Sequence, residues 1–160
     1  MFQTTAYSGE KAKDYELLLK QLTALTEDES DTIANLSNAS ALLNQFLHDV
    51  NWVGFYLWKE DQLVLGPFQG LPACLRIDYG KGVCGTAIET RESQLIEDVT
   101  KFPGHIACDS ASKSEIVVPL LINNEIYGVL DIDSPSLNRF DETDREYLEK
   151  FAEIVEGFLK

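Results

Sequence analysis

Ser114-Glu115-Ile116-Val117-Val118-Pro119-Leu120-Leu121-Ile122, then Asn123-Asn124-Glu125, then Ile126-Tyr127-Gly128-Val129-Leu130-Asp131-Ile132-Asp133-Ser134, reads as two β-rich runs around a turn. The register between the two runs can be argued from polarity. A three-residue loop, Asn123-Asn124-Glu125, pairs Ile122 with Ile126, Leu120 with Gly128, Val118 with Leu130 and Ile116 with Ile132 on one face. The other face then carries Leu121 with Tyr127, Val117 with Asp131, and Glu115 opposite Asp133. A two-residue loop would shift every pair. The expected register gathers three carboxylates, Glu115, Asp131 and Asp133, at one end of one sheet face.

Upstream, the period is again two. Trp52, Gly54, Tyr56 and Trp58 point one way and Val53, Phe55 and Leu57 the other, so both faces are apolar and this strand is expected to be central. Lys59-Glu60-Asp61 turns into Leu63-Val64-Leu65, a second strand expected to end at Gly66-Pro67. Residues 66–85 are rich in Gly and Pro around a short strand at Leu75–Ile77, and a short helix is expected through Thr86-Ala87-Ile88. The strand Gln94–Ile96 leads into a polar loop, Lys101 to Lys113, long enough to wall a site. Before the first strand, Tyr15, Leu18, Leu19, Leu22 and Leu25 recur at helical spacing. A second helix starts at Asp31-Thr32, ends near Asp49, and carries Ile33, Leu36, Leu43, Phe46 and Leu47 on one stripe. The closing segment, from near Asp141, repeats Leu148, Phe151, Val155 and Phe158, with acidic residues in its first turn where the helix dipole favours them. These elements predict an α+β domain: a central antiparallel sheet with N- and C-terminal helices packed on it, residues 1–160 forming one unit.

Composition narrows the function. At 160 residues the chain can bury roughly two-thirds of its unfolded surface in a single core. No apolar run reaches the ~20 residues of a membrane span, and the first residues lack both regions of a secretory signal, so a cytoplasmic address is expected. A formal charge of −14 without a basic stripe argues against nucleic acid. Three cysteines without an export signal suggest thiol chemistry, metal binding or packing rather than a disulfide scaffold.

Buried carboxylates need a cation or a proton. If Glu115 faces Asp133, repulsion raises the pKa of one, leaving an acid beside an anion that can bind an ammonium group. The plainer reading leaves Asp131 and Asp133 solvated at a strand end. Cys84, in Gly82-Val83-Cys84-Gly85-Thr86, lies at a helix start where the dipole can lower a thiol pKa. Cys108 sits in the polar loop near His105 and Asp109, and Cys74 in the Gly/Pro-rich stretch. All three cysteines lie outside the expected strands. Cys74, Cys84, His105 and Cys108 were they zinc ligands would make four, but no close Cys pair nucleates such a site, and no metal is expected. A charged His105 could bias a nearby thiolate; His48 reads as a capping or surface residue. Trp52, Tyr56 and Trp58 serve either the core or an apolar box around a thioether or sulfoxide methyl group.

Asn51-Trp52-Val53-Gly54-Phe55-Tyr56, Gly80-Lys81-Gly82-Val83-Cys84-Gly85, the Cys108 loop, Glu115-Ile116-Val117-Val118-Pro119-Leu120 and Gly128-Val129-Leu130-Asp131-Ile132-Asp133-Ser134 together resemble the free methionine-(R)-sulfoxide reductases, over nearly the whole chain. The glycine-rich entry and the two strands fit many GAF domains; the three cysteines with Glu115, Asp131 and Asp133 make the match specific. The resemblance implies a single GAF domain with Cys108 catalytic, Cys74 resolving through a disulfide, and Cys84 a third cysteine of less settled role. It implies that Glu115, Asp131 and Asp133 hold the substrate ammonium and polarise or protonate the sulfoxide, with Trp52 and Tyr56 around its methyl group. It also implies a homodimer with no bound cofactor, recycled by thioredoxin. The rival expectations are a GAF module that binds a small regulator such as a nucleotide, and a redox sensor without turnover.

Overall fold

The alternation in Trp52–Lys59 sorts the molecule into two layers, because successive side chains of a strand leave on opposite faces. Val53, Phe55 and Leu57 join a core built with three helices, whereas Trp52 and Tyr56 join a second apolar cluster on the reverse face. The computed structural model describes residues 2–3, 6–106 and 108–159. In chain order the elements are α1 (Lys11–Thr26), α2 (Thr32–Phe46), β1 (Trp52–Lys59), β2 (Gln62–Gly70), β3 (Arg76–Asp78), α3 (Gly82–Thr90), β4 (Gln94–Ile96), β5 (Ser114–Ile122), β6 (Glu125–Ser134) and α4 (Glu142–Leu159). The strands form one antiparallel sheet in the order β3-β2-β1-β6-β5-β4. Helices α1, α2 and α4 cover one face, and α3 lies on the other. The α+β architecture is therefore the expected one, with β1 in the interior of the sheet. No helix among the described residues is long and apolar enough to cross a membrane.

Several boundaries differ from expectation. The β5–β6 turn has two residues, Asn123 and Asn124, both at positive φ, and β6 starts at Glu125. Leu121 therefore faces Ile126 and Ile122 faces Glu125. An irregularity between Leu120 and Leu121 leaves Tyr127 unpaired, and this extra residue restores the expected pairing from Leu120–Gly128 through Glu115–Asp133. A similar bulge opposite Phe55 absorbs Gly66 and Pro67, so β2 continues to Gly70 instead of ending there. Helix α3 begins at Gly82, earlier than expected, and the short strand sits one residue later at Arg76–Asp78. On α2 the buried stripe runs through Leu36, Ala39, Leu42 and Leu43; Ile33 lies beside it, 56% exposed. Asp31 is the cap, accepting from the Ala34 N–H at 2.8 Å.

The start of α4 is locked to α1. Asp141 accepts from the Asp144 N–H at 3.0 Å and Asp144 from the Asp141 N–H at 2.9 Å, a reciprocal cap. The fully buried Asp144 carboxylate also accepts from Tyr15 Oη at 2.6 Å and Lys11 Nζ at 2.8 Å. Replacing Asp144 with Ala removes the cap and strands the Tyr15 hydroxyl. Urea unfolding of Asp144→Ala is expected to show a loss of about 3 kcal/mol; an unchanged midpoint would show that this network does not stabilise the fold.

Candidate functional site

On the face away from α1, α2 and α4, the register aligns Trp52 with Asp133 and Glu115 in one row, and Gly54 with Asp131 and Val117 in the next. The absence of a side chain at Gly54 is required: a Cβ there would stand 2.2 Å from Phe68 Cβ. Phe68 stacks on Trp52, which in turn stacks on Tyr56. These aromatics hold the segment that crosses them. Trp52 Nε1 donates to the Leu71 carbonyl at 3.2 Å, and Tyr56 Oη donates to the Cys74 carbonyl at 3.0 Å. The other wall is the 101–113 loop, whose Ile106 side chain packs on Gly82 so closely that a Cβ at Gly82 would meet it at 3.1 Å. Gly82 has φ +61, which an L side chain rarely adopts. Between these walls lies a cavity of about 490 Å³, including its open mouth, onto which Trp52, Tyr56, Cys84, Cys108 and the three carboxylates all face.

The electrostatics are unusual. Glu115 and Asp131 are each only 6% exposed and Asp133 is half-buried, so the solvated strand-end reading does not hold. All six ion pairs found among the described residues lie elsewhere. Burial pushes the Glu115 carboxyl well above its ordinary range, and the charges of Asp131 and Asp133 push it further. Burial also raises Asp131, where hydrogen bonds from Glu115 and Cys84 oppose the shift. Asp133 is raised by burial and then by Asp131, against hydrogen bonds from Glu115 and Ser112. Hydrogen bonding within the cluster raises Glu115 and lowers both aspartates, which favours Glu115 as the member that keeps a proton. Asp131 Oδ1 and Asp133 Oδ1 are buried with no hydrogen-bond partner, two open acceptors on a cavity wall. The arrangement can bind a compact cation and lend a proton to a basic atom beside it. Cys84, Glu115 and Asp131 bring ligating atoms within 4.8 Å of one another, a convergence that the hydrogen bonds among these three side chains already explain.

The cysteines separate into two kinds. Cys74 and Cys108 form a disulfide with a Cα–Cα distance of 5.4 Å, so two of the four residues weighed for zinc have their sulfurs joined. Cys84 is a free thiol buried in the second apolar cluster. Its place in the first turn of α3 does not activate it: burial raises its pKa well above the usual thiol value, and Asp131 and Glu115 add to the rise. The expected activation of Cys84 by the helix start is therefore corrected. His105 is half-buried with an unpartnered Nδ1, and burial lowers its pKa although Asp131 pulls the other way. A cationic His105 beside the Cys108 sulfur is not favoured. His48 is exposed, as expected for a surface residue. Tyr56 is held in its neutral phenol form by burial and by Asp131. The sequence assigns no role to Asn51 or Ser112, and marks Asp109 only as a neighbour of Cys108. Asn51 Nδ2 donates to Asp109 Oδ2 at 2.9 Å and to Ser112 Oγ at 3.1 Å, and Ser112 Oγ donates to Asp133 Oδ2 at 2.9 Å.

A family model described as a GAF domain matches residues 36–159. Protein YtsP of Bacillus subtilis is 63% identical, with 99% of each chain covered. The free methionine-R-sulfoxide reductase of Escherichia coli is 51% identical over 93% of this chain and 90% of its own length. Among solved structures, free methionine-R-sulfoxide reductase from Neisseria meningitidis in complex with its substrate is similar at a TM-score of 0.95 and 45% identity, covering 99% of this chain and 95% of that one.

A carboxyl whose folded pKa is raised contributes stability that is complete below its unfolded value and lost as pH rises through the folded value. Glu115 follows this sign, so its ionisation destabilises the empty site towards neutral and alkaline pH. Glu115→Gln removes that penalty. Thermal unfolding from pH 5 to pH 8 is expected to show the Tm of Glu115→Gln gaining on the wild type as pH rises; a difference independent of pH would show that Glu115 is not a buried, proton-holding acid.

Proposed function

This chain belongs to the GAF-domain family of free methionine-(R)-sulfoxide reductases, and from that premise we propose that it reduces free L-methionine-(R)-sulfoxide to methionine with Cys108 as nucleophile, Cys74 as resolving thiol and thioredoxin as the external reductant. The observation that carries this reading is the shared cavity: a buried carboxylate cluster with no ion-pair partner among the described residues opens onto the same space as the Cys74–Cys108 disulfide. A free amino acid brings the missing cation. Its α-ammonium satisfies the open oxygens of Asp131 and Asp133, and its methyl group lies against Trp52 and Tyr56.

In the reduced enzyme the Cys108 thiolate attacks the sulfoxide sulfur. An oxide leaves poorly, so Glu115 gives its proton to the oxygen as the S–O bond breaks. The attack leaves Cys108 bonded to the substrate sulfur as a sulfonium, and the released hydroxide attacks the Cys108 sulfur, so the S–S bond breaks with its electron pair going to methionine and Cys108 is left as a sulfenic acid. The Cys74 thiol then attacks the Cys108 sulfur, releasing water and closing the disulfide seen in the structure. A dithiol reopens it by exchange. Cys74 and Cys108 are both part-exposed, and the adjoining Leu75 is 73% exposed, so the bond is reachable by a protein reductant. Cys84, neutral and hydrogen-bonded to Asp131, serves the anion rather than the sulfur chemistry.

Incubation with dithiothreitol and racemic free methionine sulfoxide tests the reading. Loss of the R diastereomer alone is expected, and loss of neither would refute it. Cys108→Ser is expected to abolish turnover, and substantial residual activity would overturn the assignment. N-acetylated methionine sulfoxide, whose nitrogen is a neutral amide, is expected to be refused; equal rates on both compounds would remove the ammonium from the account.

A further inference from the structure

Asn51 sits where the site and the cysteine loop meet. Its backbone N–H donates to the Asp133 carbonyl at 2.9 Å, fixing it at the entrance to β1 beside the carboxylate row. Its amide nitrogen reaches Asp109 Oδ2 and Ser112 Oγ, the two ends of a turn that immediately follows Cys108. Within that turn the Ser112 N–H donates to the Asp109 carbonyl at 3.2 Å and the Ala111 N–H to Asp109 Oδ1 at 2.8 Å. One amide therefore clasps both ends of the turn.

The polarity of this clasp is determined. Turning the amide over would set its oxygen against the Asp109 carboxylate, so the NH₂ group must face Asp109. An NH₂ group offers only donors, and Ser112 Oγ must accept from it. The single hydroxyl proton of Ser112 is then left for Asp133 Oδ2 at 2.9 Å, and that oxygen is an acceptor rather than the protonated one. The other groups around Asp133 are Glu115 on β5, Asp131 on β6, Asp109 in the loop, Tyr56 on β1 and Cys84 on α3, with His105 facing Asp131; Lys81 lines the same cavity, and among the described residues no ion pair reaches Asp133.

We propose that Asn51 and Ser112 are positioning residues for the reductase reaction: the Asn51 amide orients the Ser112 hydroxyl onto Asp133, keeping Asp133 the anion and Glu115 the acid, and holds the Cys108 turn over that pair. This rests on the reductase reading above. Neither residue touches a reacting atom; each acts through Asp133 and through the turn that carries Cys108.

Three variants test the relay: Ser112→Ala, Ser112→Thr and Asn51→Ala. Two measurements are made, the pH profile of kcat/KM for free methionine-(R)-sulfoxide with dithiothreitol, and the ¹³C NMR titration of the Asp133 carboxyl without substrate. A donor hydrogen bond to an anion lowers its pKa, so losing the donor raises it. Ser112→Ala is expected to move both the acidic limb of the profile and the Asp133 midpoint upward by about one pH unit. Asn51→Ala moves both in the same direction, and Ser112→Thr, which keeps the hydroxyl, returns them to the wild-type position. Profiles and midpoints that coincide with the wild type in Ser112→Ala would overturn the proposal, whatever happens to kcat or Tm. Wild-type protein inactive on the sulfoxide would refute the reductase reading alone, and the NMR midpoint would still decide the relay.

Discussion

Three carboxylates are held out of water on one side of the sheet because apolar side chains are held out of water on the other. Strand alternation couples the two: Ile116, Val118, Leu130 and Ile132 enter the helix-covered core only in the register that sends Glu115, Asp131 and Asp133 to the cavity. A slip of one residue would exchange the sets. Burying each aliphatic side chain stabilises by roughly 1.5–3 kcal/mol. Each buried ion costs several kcal/mol, so these four act with the rest of the helix-covered core in holding the register against that cost. The fold therefore tolerates an electrostatically unfavourable site because the hydrophobic effect on the reverse face fixes the register.

The same alternation made much of the site readable in advance. Glu115 opposite Asp133 and the aromatic row of Trp52 and Tyr56 follow from period-two patterning, which is local in the chain. The β5–β6 tip was misread for a physical reason. Two Asn residues at positive φ form a tight turn, and Tyr127 makes up the lost residue as a bulge, so two departures from the expected path cancel below Leu120. Gly66 and Pro67 deceived in a related way: they are strand breakers by propensity, yet a bulge accommodates both. The Asn51 clasp was not legible. Asn51 and Asp109 are 58 residues apart, and a polar residue at a strand entrance carries no periodic signal of what it will meet.

Cys84 shows how competing effects are settled by magnitude. A helix start offers a thiolate roughly 0.3–1 kcal/mol, rising to about 2 in favourable geometry. Full burial can shift a pKa by up to 3–5 units, about 4–7 kcal/mol. Three neighbouring carboxylates act in the same direction as burial, so the motif position is overruled and the thiol stays protonated. Cys74 and Cys108 differ in depth: they lie on segments that wall the cavity, and part of each remains exposed. The separation of one buried free thiol from two part-exposed, disulfide-linked cysteines thus comes from depth in the fold, not from local sequence.

Binding and proton transfer in the proposed reaction draw on one charge balance. With Glu115 protonated, the cluster carries two anions, and an α-ammonium reduces the uncompensated charge to one. Transfer of the Glu115 proton to the sulfoxide oxygen creates a third carboxylate beside Asp131 and Asp133, a state that mutual repulsion disfavours. That repulsion drives Glu115 to recover a proton from solvent, which resets the acid. It also strengthens the hold of the cluster on any ammonium still bound, so recovery of the proton eases release of methionine. A site lined with lysine or arginine partners would lack this property, because paired carboxylates would have no reason to keep a proton near neutral pH. In the proposed reaction, the lack of an ion-pair partner for these carboxylates among the described residues leaves one position for the substrate ammonium and one proton for the chemistry.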